Sequence, residues 1–254
     1  IDISKYRYFF GASFDGSQSV GAIREETVST GLDSVDPSSL DLAGPSPAAP
    51  SSASERVFVI GRNVSGTSAV IRGFGLPNLN PVWDGPQDWS LTDASTPVVA
   101  TQGGDGLLYF SADRNLRVYT SDLFELVAYD LPFAQPTDIH GNSDYLWGVI
   151  GAENRIVRTD VSTGLAPTLT WQGVDLAVDG SFSPTALTFN RFGQLFVLDG
   201  LARRVHAFDR DLSPILSWDL PAEDFTTGGI ALDGGNGNLV HVTSNGGIVY
   251  TYLP

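Results

Sequence analysis

The chain has no cysteine and no methionine. The first absence excludes a disulfide framework, thiol chemistry and any cysteine-held metal. The second, with isoleucine in first position, suggests a processed product or an excised fragment. Lysine occurs once, as Lys5, and the 14 basic residues face 29 acidic ones, 23 of them aspartate, for a net charge of −15. Such a surface repels phosphate backbones and anionic lipid, which argues against nucleic acid or a membrane surface as partner. No apolar run approaches the ~18 residues of a membrane span, and nothing at the N-terminus resembles a signal peptide.

What is present is turn chemistry. Twenty-eight glycines and 15 prolines punctuate a chain that is 42% apolar, enough for a core, and helical spacing is nowhere sustained. Short strands joined by many turns are the expectation.

An aromatic landmark recurs. "NPVWDGP" places Trp83, "LVAYDLP" Tyr129, "TLTWQGV" Trp171 and "ILSWDLP" Trp218, at intervals of 46, 42 and 47 residues. "SSLDLAGP" puts Leu40 in the same slot 43 residues before Trp83. Strand–turn–strand segments keep phase with these landmarks at 56–74, 107–121, 145–160, 194–209 and 238–253. A further strand precedes each of the last four, in "TPVVATQGGDG", "QPTDIHGNSD", "SPTALTFNRFG" and "TGGIALDGGNG". One unit therefore reads as four strands with the aromatic in the fourth. Four short strands per repeat of this length predict an all-β propeller in one domain, 1–254. Adding a hairpin at 5–25 makes six blades the best count, with five or seven as alternatives. The Ser/Pro/Ala-rich stretch 30–55 is expected to be irregular.

A large aromatic at the end of an outer strand can fill the groove between neighbouring blades, so Trp83, Tyr129, Trp171 and Trp218 are expected to act as inter-blade wedges. Exposed tryptophan stacking on sugar is the sharper alternative.

Third strands opening on Asn115-Leu116-Arg117-Val118, Asn154-Arg155-Ile156-Val157 and Arg203-Arg204-Val205 carry a resemblance. Together with "SPTALTFNRFGQLFVLDG" they make residues 95–254 similar to the NHL-repeat propellers. The chain departs from that pattern with Thr137-Asp138 and Thr185-Ala186 where Gly-Ile is usual. The resemblance implies fold rather than activity. Lyases on such propellers use convergent histidines. His140, His206 and His241 fall on strands of three different classes and do not reproduce that.

Counting back from Phe9 leaves the first blade without its innermost strand, and the last blade lacks an outer one. The segment Ile1, Asp2, Ile3, Ser4, Tyr6 and Tyr8 is expected to close the ring beside the last blade, or to pair with another copy by strand addition. Six-bladed lactonases and phosphotriesterases hold Ca²⁺ with oxygens near inner strands. Asp138, Asn142, Asn190 and Asp233 are the residues here that could do so, although asparagine and aspartate at such places are first of all turn residues. No catalytic motif is evident. The composition and repeats point to a non-enzymatic, extracellular or cell-surface interaction module whose partner is a protein, another copy of itself included. A calcium-dependent hydrolase or lactonase and a carbohydrate binder are the alternatives.

Overall fold

The computed structural model describes residues 6–12, 18–24, 33–35, 48–51, 56–62, 67–75, 80–84, 89–93, 96–103, 105–120, 124–178, 180–190, 192–220, 230–232, 239–242 and 248–251. Among them there is no α-helix, and 23 strands form six antiparallel sheets.

Sheet A holds β1 (Tyr6–Ala12), β2 (Gln18–Arg24) and β3 (Asp33–Val35). Sheet B holds β4 (Ala48–Ser51), β5 (Arg56–Arg62), β6 (Ser68–Gly75) and β7 (Asn80–Asp84), with β8 (Trp89–Ser90) paired to the start of β6. Sheet C is β9 (Val98–Gln102), β10 (Leu108–Ala112), β11 (Asn115–Tyr119) and β12 (Glu125–Asp130). Sheet D is β13 (Asp138–Gly141), β14 (Tyr145–Ile150), β15 (Arg155–Asp160) and β16 (Gln172–Val174). Sheet E is β17 (Pro184–Phe189), β18 (Leu195–Asp199), β19 (Arg204–Phe208) and β20 (Pro214–Asp219). Sheet F is β21 (Ile230–Leu232), β22 (Leu239–Val242) and β23 (Ile248–Thr251). Each sheet pairs its strands in chain order. This is the predicted blade, and the fold is an all-β propeller of six sheets.

The chain divides into two units, Ile1–Gln102 with Gly106–Asp130, and Gly103–Asp105 with Leu131–Pro254. Sheets A to C belong to the first and D to F to the second. In β1, Tyr6 lies opposite Arg24 and Tyr8 opposite Ala22. Ile1, Asp2, Ile3, Ser4, Leu40 and Asp233 lie outside the described residues. Within 30–55 two short strands form, β3 and β4. Pro50 is tolerated in β4 because that strand is an edge, where a missing N–H costs no ladder bond.

Burial explains the composition of each strand class. Second strands β10 and β18 are buried at every position, because both faces of a stacked sheet are covered. Fourth strands β12 and β20 are mostly exposed. Between sheets B and C the core gathers Ile60, Ile71, Trp89, Leu108, Phe110 and Tyr119. The β10–β11 hairpin closes in two residues, Asp113 and Arg114, both left-handed (φ 50 and 61), as the strand twist prefers.

The tethers at the blade starts account for the departure from the NHL pattern. A Cβ on Gly151 would lie 2.9 Å from Thr137 Cγ2, and one on Gly200 would lie 2.5 Å from Thr185 Cγ2. A threonine at the head of the first strand thus sits on a glycine that follows the second strand, once in sheet D and once in sheet E. Thr137 Oγ1 donates to Thr185 O at 3.1 Å, and Thr185 Oγ1 to Leu198 O at 3.3 Å.

Register assigns the landmark aromatics. Tyr129 lies opposite Leu116 and Trp218 opposite Val205. The matching place in sheet D, opposite Ile156, is taken by Val174. Trp171 stands three residues earlier and meets Phe133 edge-on at 5.1 Å. Trp83 lies opposite Gly73. Trp89, opposite Ala69, is 4% exposed in the B–C core, and the Arg117 guanidinium lies 4.4 Å from its ring centre. The rest of the motif is also explained. Asn115 Nδ2 donates to Asp130 Oδ1 at 3.3 Å and Arg204 Nε to Asp219 Oδ1 at 2.7 Å, while Leu131 and Leu220 are buried. Aspartate after the aromatic ties the outer strand to the head of the third, and leucine anchors the exit.

Candidate functional site

Sheets D and E pack through Trp147, Val149, Ile156, Leu187, Leu195, Val197 and Phe208. At one end of this interface the core gives way to a pocket of about 420 Å³, bordered by the turns after β13, β17 and β19. Aspartate or asparagine shapes each turn by accepting backbone N–H bonds, as these side chains do best. Asn142 Oδ1 takes those of Asp144 (3.1 Å) and Tyr145 (2.8 Å). Asn190 Oδ1 takes those of Phe192 (2.9 Å) and Gln194 (3.0 Å). Asp209 Oδ1 takes those of Asp211 (2.9 Å) and Ser213 (2.8 Å).

Among the described residues, two arginines reach the pocket. Arg158, opposite Trp147 on β15, lays its guanidinium 4.5 Å from the ring centre of Tyr145 and 5.3 Å from that of Trp147. Arg210 donates Nε to Phe192 O at 2.5 Å and packs over Gly193. That glycine is favoured by its φ of +77°, and a Cβ there would press on Arg210 Nε at 3.1 Å. Among the described residues neither arginine has a carboxylate partner. Phe189 packs on Trp147 with ring centres 5.2 Å apart, and the Trp147 indole N–H has no hydrogen-bond partner among the described residues. Asp144 is the one acid among the lining residues.

Away from the pocket, the same interface holds two further polar groups. Asp138 Oδ2 accepts the Leu187 N–H at 2.9 Å, linking β13 to β17. Its residue keeps some accessible surface, yet protein surrounds the carboxyl on most sides, and burial pushes its pKa up to about 7 against the pull of the Leu187 and Ile139 N–H groups. His140, facing Phe189 at 5.5 Å between ring centres, is held down at about 4 by burial. On sheet E, Asp199 Oδ1 accepts the N–H groups of Leu201 (2.9 Å) and Ala202 (3.0 Å). Its Oδ2 lies 3.7 Å from His206 Nε2, and burial, partly countered by Asp199, lowers the His206 pKa.

The sequence candidates distribute as follows. Asn142 and Asn190 both border the pocket, with their amide oxygens engaged in the turns. Asp138 is at the other end of β13 from Asn142, about 13 Å along the strand, so one cation cannot take both. Among the described residues no group of three or more His, Cys, Asp or Glu is arranged to hold a metal. His140 and His206 do not meet each other, and His241 is described as backbone of β22. Arg158, Arg210 and Tyr145 went unmarked in the sequence. The one available signal is the recurrence of a turn asparagine 48 residues apart, Asn142 and Asn190.

No family model matches the sequence, and no curated protein is significantly similar to it. Solved structures share its fold. A streptogramin B lyase is 16% identical, with a TM-score of 0.60, over 99% of this chain and 84% of that one. A catalytically inactive virginiamycin B lyase from Staphylococcus aureus, solved with quinupristin, is 15% identical with a TM-score of 0.57, over 98% and 85%. A chain of a nidogen/laminin complex is 14% identical with a TM-score of 0.60, over 86% and 77%. These are β-propellers of NHL and YWTD type, and the likeness at this identity is one of fold.

Proposed function

We propose that the chain is a non-catalytic binding propeller that works outside the cell and engages a protein partner through the pocket between sheets D and E. The observation that carries this reading is a concave site, of the volume usual for ligand pockets, whose two guanidinium groups lack carboxylate partners among the described residues in a chain of net charge −15. Among the described residues that line it, none is a nucleophile hydrogen-bonded to an adjacent base. Its available donors are Arg158, on β15, and Arg210, on the turn after β19, each braced by its neighbours, which suits recognition. The acidic composition suits an extracellular setting, and one structural neighbour was solved as a protein–protein complex.

The test is a thermal-shift screen of peptides, sugars and lactones, with each hit recovered and weighed by mass spectrometry. A ligand that binds only the folded state raises Tm by mass action. The expected result is hits recovered intact whose shift disappears in Ser143→Trp, which plugs the rim. Hydrolysis of a lactone would instead establish a hydrolase, and a shift produced by Ca²⁺ and reversed by chelator would favour the calcium-dependent kind. Hits confined to sugars would establish the carbohydrate binder.

A further inference from the structure

We infer that the D–E pocket recognises the carboxylate of an acidic peptide side chain, with Arg158 as the principal contact; this rests on the binding role proposed above. The choice follows from which groups are committed and which are available.

The aromatic faces are committed. Tyr145 and Trp147 lie beneath the Arg158 guanidinium, and Trp147 is 2% exposed. A sugar needs an open ring face to stack on, but Trp147 is buried and Arg158 takes one face of Tyr145. The guanidinium is available. Contact with two rings set 74° to each other restrains the guanidinium and removes rotamer freedom before any ligand arrives, so less entropy is lost on binding. A planar fork held this way matches a planar carboxylate in two parallel hydrogen bonds, the strong form of the contact. Arg210 is similarly braced, because its Nε is spent on Phe192 O and its terminal nitrogens are left over. Asn142 adds a donor, since its oxygen is held by the turn while its Nδ2 has no partner among the described residues. Tyr145 supplies a hydroxyl.

The site thus offers donors in excess of acceptors, and Asp144 at its rim disfavours a ligand of high negative charge. A single carboxylate fits that balance better than a phosphate dianion. Phe189 and Leu212 line the remaining wall and favour an apolar residue next to the acid. The occupant is therefore a short segment in which Glu or Asp adjoins a Leu- or Phe-like side chain.

Isothermal titration of the whole chain with a capped Glu-Leu-Glu tripeptide tests this, against its Gln-Leu-Gln isostere, a galacturonate trimer and inorganic phosphate. The isostere is expected to bind roughly tenfold more weakly or worse, because a charge-assisted pair becomes a neutral one. Arg158→Gln is expected to lose a similar factor for the acidic peptide alone. Arg158→Lys keeps the charge but not the fork and should recover only part of it. Arg210→Gln, on a surface turn, guards against a misfolded Arg158 variant and should weaken the acidic peptide too. Equal binding of acid and amide peptides would overturn the inference, as would an unchanged affinity in Arg158→Gln. Tighter binding of galacturonate or phosphate than of the peptide would overturn it as well. If both peptides bind equally and Ser143→Trp still abolishes binding, the pocket remains the site and only its acidic chemistry falls.

Discussion

The Asp138 carboxylate accepts the backbone N–H of Leu187 at 2.9 Å, so a side chain on the first strand of one sheet fills the ladder edge of the next. Thr137 makes the parallel contact one residue earlier, to Thr185 O. Such a tether sets a pH dependence. Asp138 has a folded pKa of about 7, above its unfolded value, so the folded protein holds a proton there that the unfolded chain has released. Its contribution to stability is complete below about pH 4 and is lost as pH rises to about 7. His140, depressed to about 4, runs the other way and costs stability as pH falls below about 6.5. The two slopes oppose each other between about pH 4 and 6.5. In Asp138→Asn only the histidine slope remains. The Tm of the variant should therefore gain on wild type steadily from pH 4 to 7, and a constant offset across that range would contradict the assignment.

A second prediction concerns the threonine–glycine pairs. Gly200→Ala drives a Cβ to 2.5 Å from Thr185 Cγ2, and turning that threonine aside breaks its bond to Leu198 O. The expected loss is about 1–3 kcal/mol, or roughly 2–4 °C in Tm per kcal/mol for a chain of this size. Adding Thr185→Ser removes the offending methyl and keeps the hydroxyl, so the double variant should recover most of the loss. Additive damage would show that the contact is not the cause.

Trp89 and Trp171 should separate on truncation. Trp89 is buried between sheets B and C under Arg117, while Trp171 is half-buried against Phe133. Trp89→Ala is expected to cost about 3–5 kcal/mol, the range for a fully buried aromatic, and Trp171→Ala clearly less. Urea denaturation of the two variants measures both. Equal costs, or the reverse order, would contradict the register assigned to the landmarks.

The strands were legible because each one declares itself locally. Apolar runs such as Leu195–Leu198, bounded by Gly and Asn turns, leave little choice of element, and the repeat fixes their order. Register between the third and fourth strands was not legible. Ten residues separate Asp160 from Trp171, and nothing in their composition says that Val174, rather than Trp171, pairs opposite Ile156. Trp89 escaped the series for a similar reason, since its strand pairs with the head of β6, out of the repeat's phase. The pocket was invisible because it exists only where two sheets meet. Arg158 alone reads as a solvated rim residue, and only the placement of Tyr145 and Trp147 beneath it gives it a role. Asn142 and Asn190 are turn residues whose side-chain oxygens accept backbone N–H groups of their own turns.

The most direct test of the account is charge reversal at Arg158. Arg158→Glu should abolish binding of the capped Glu-Leu-Glu peptide and confer measurable affinity for Lys-Leu-Lys, with the fold and Tm of the variant checked alongside by circular dichroism. An acidic peptide that binds the reversed protein as tightly as the native one would contradict it.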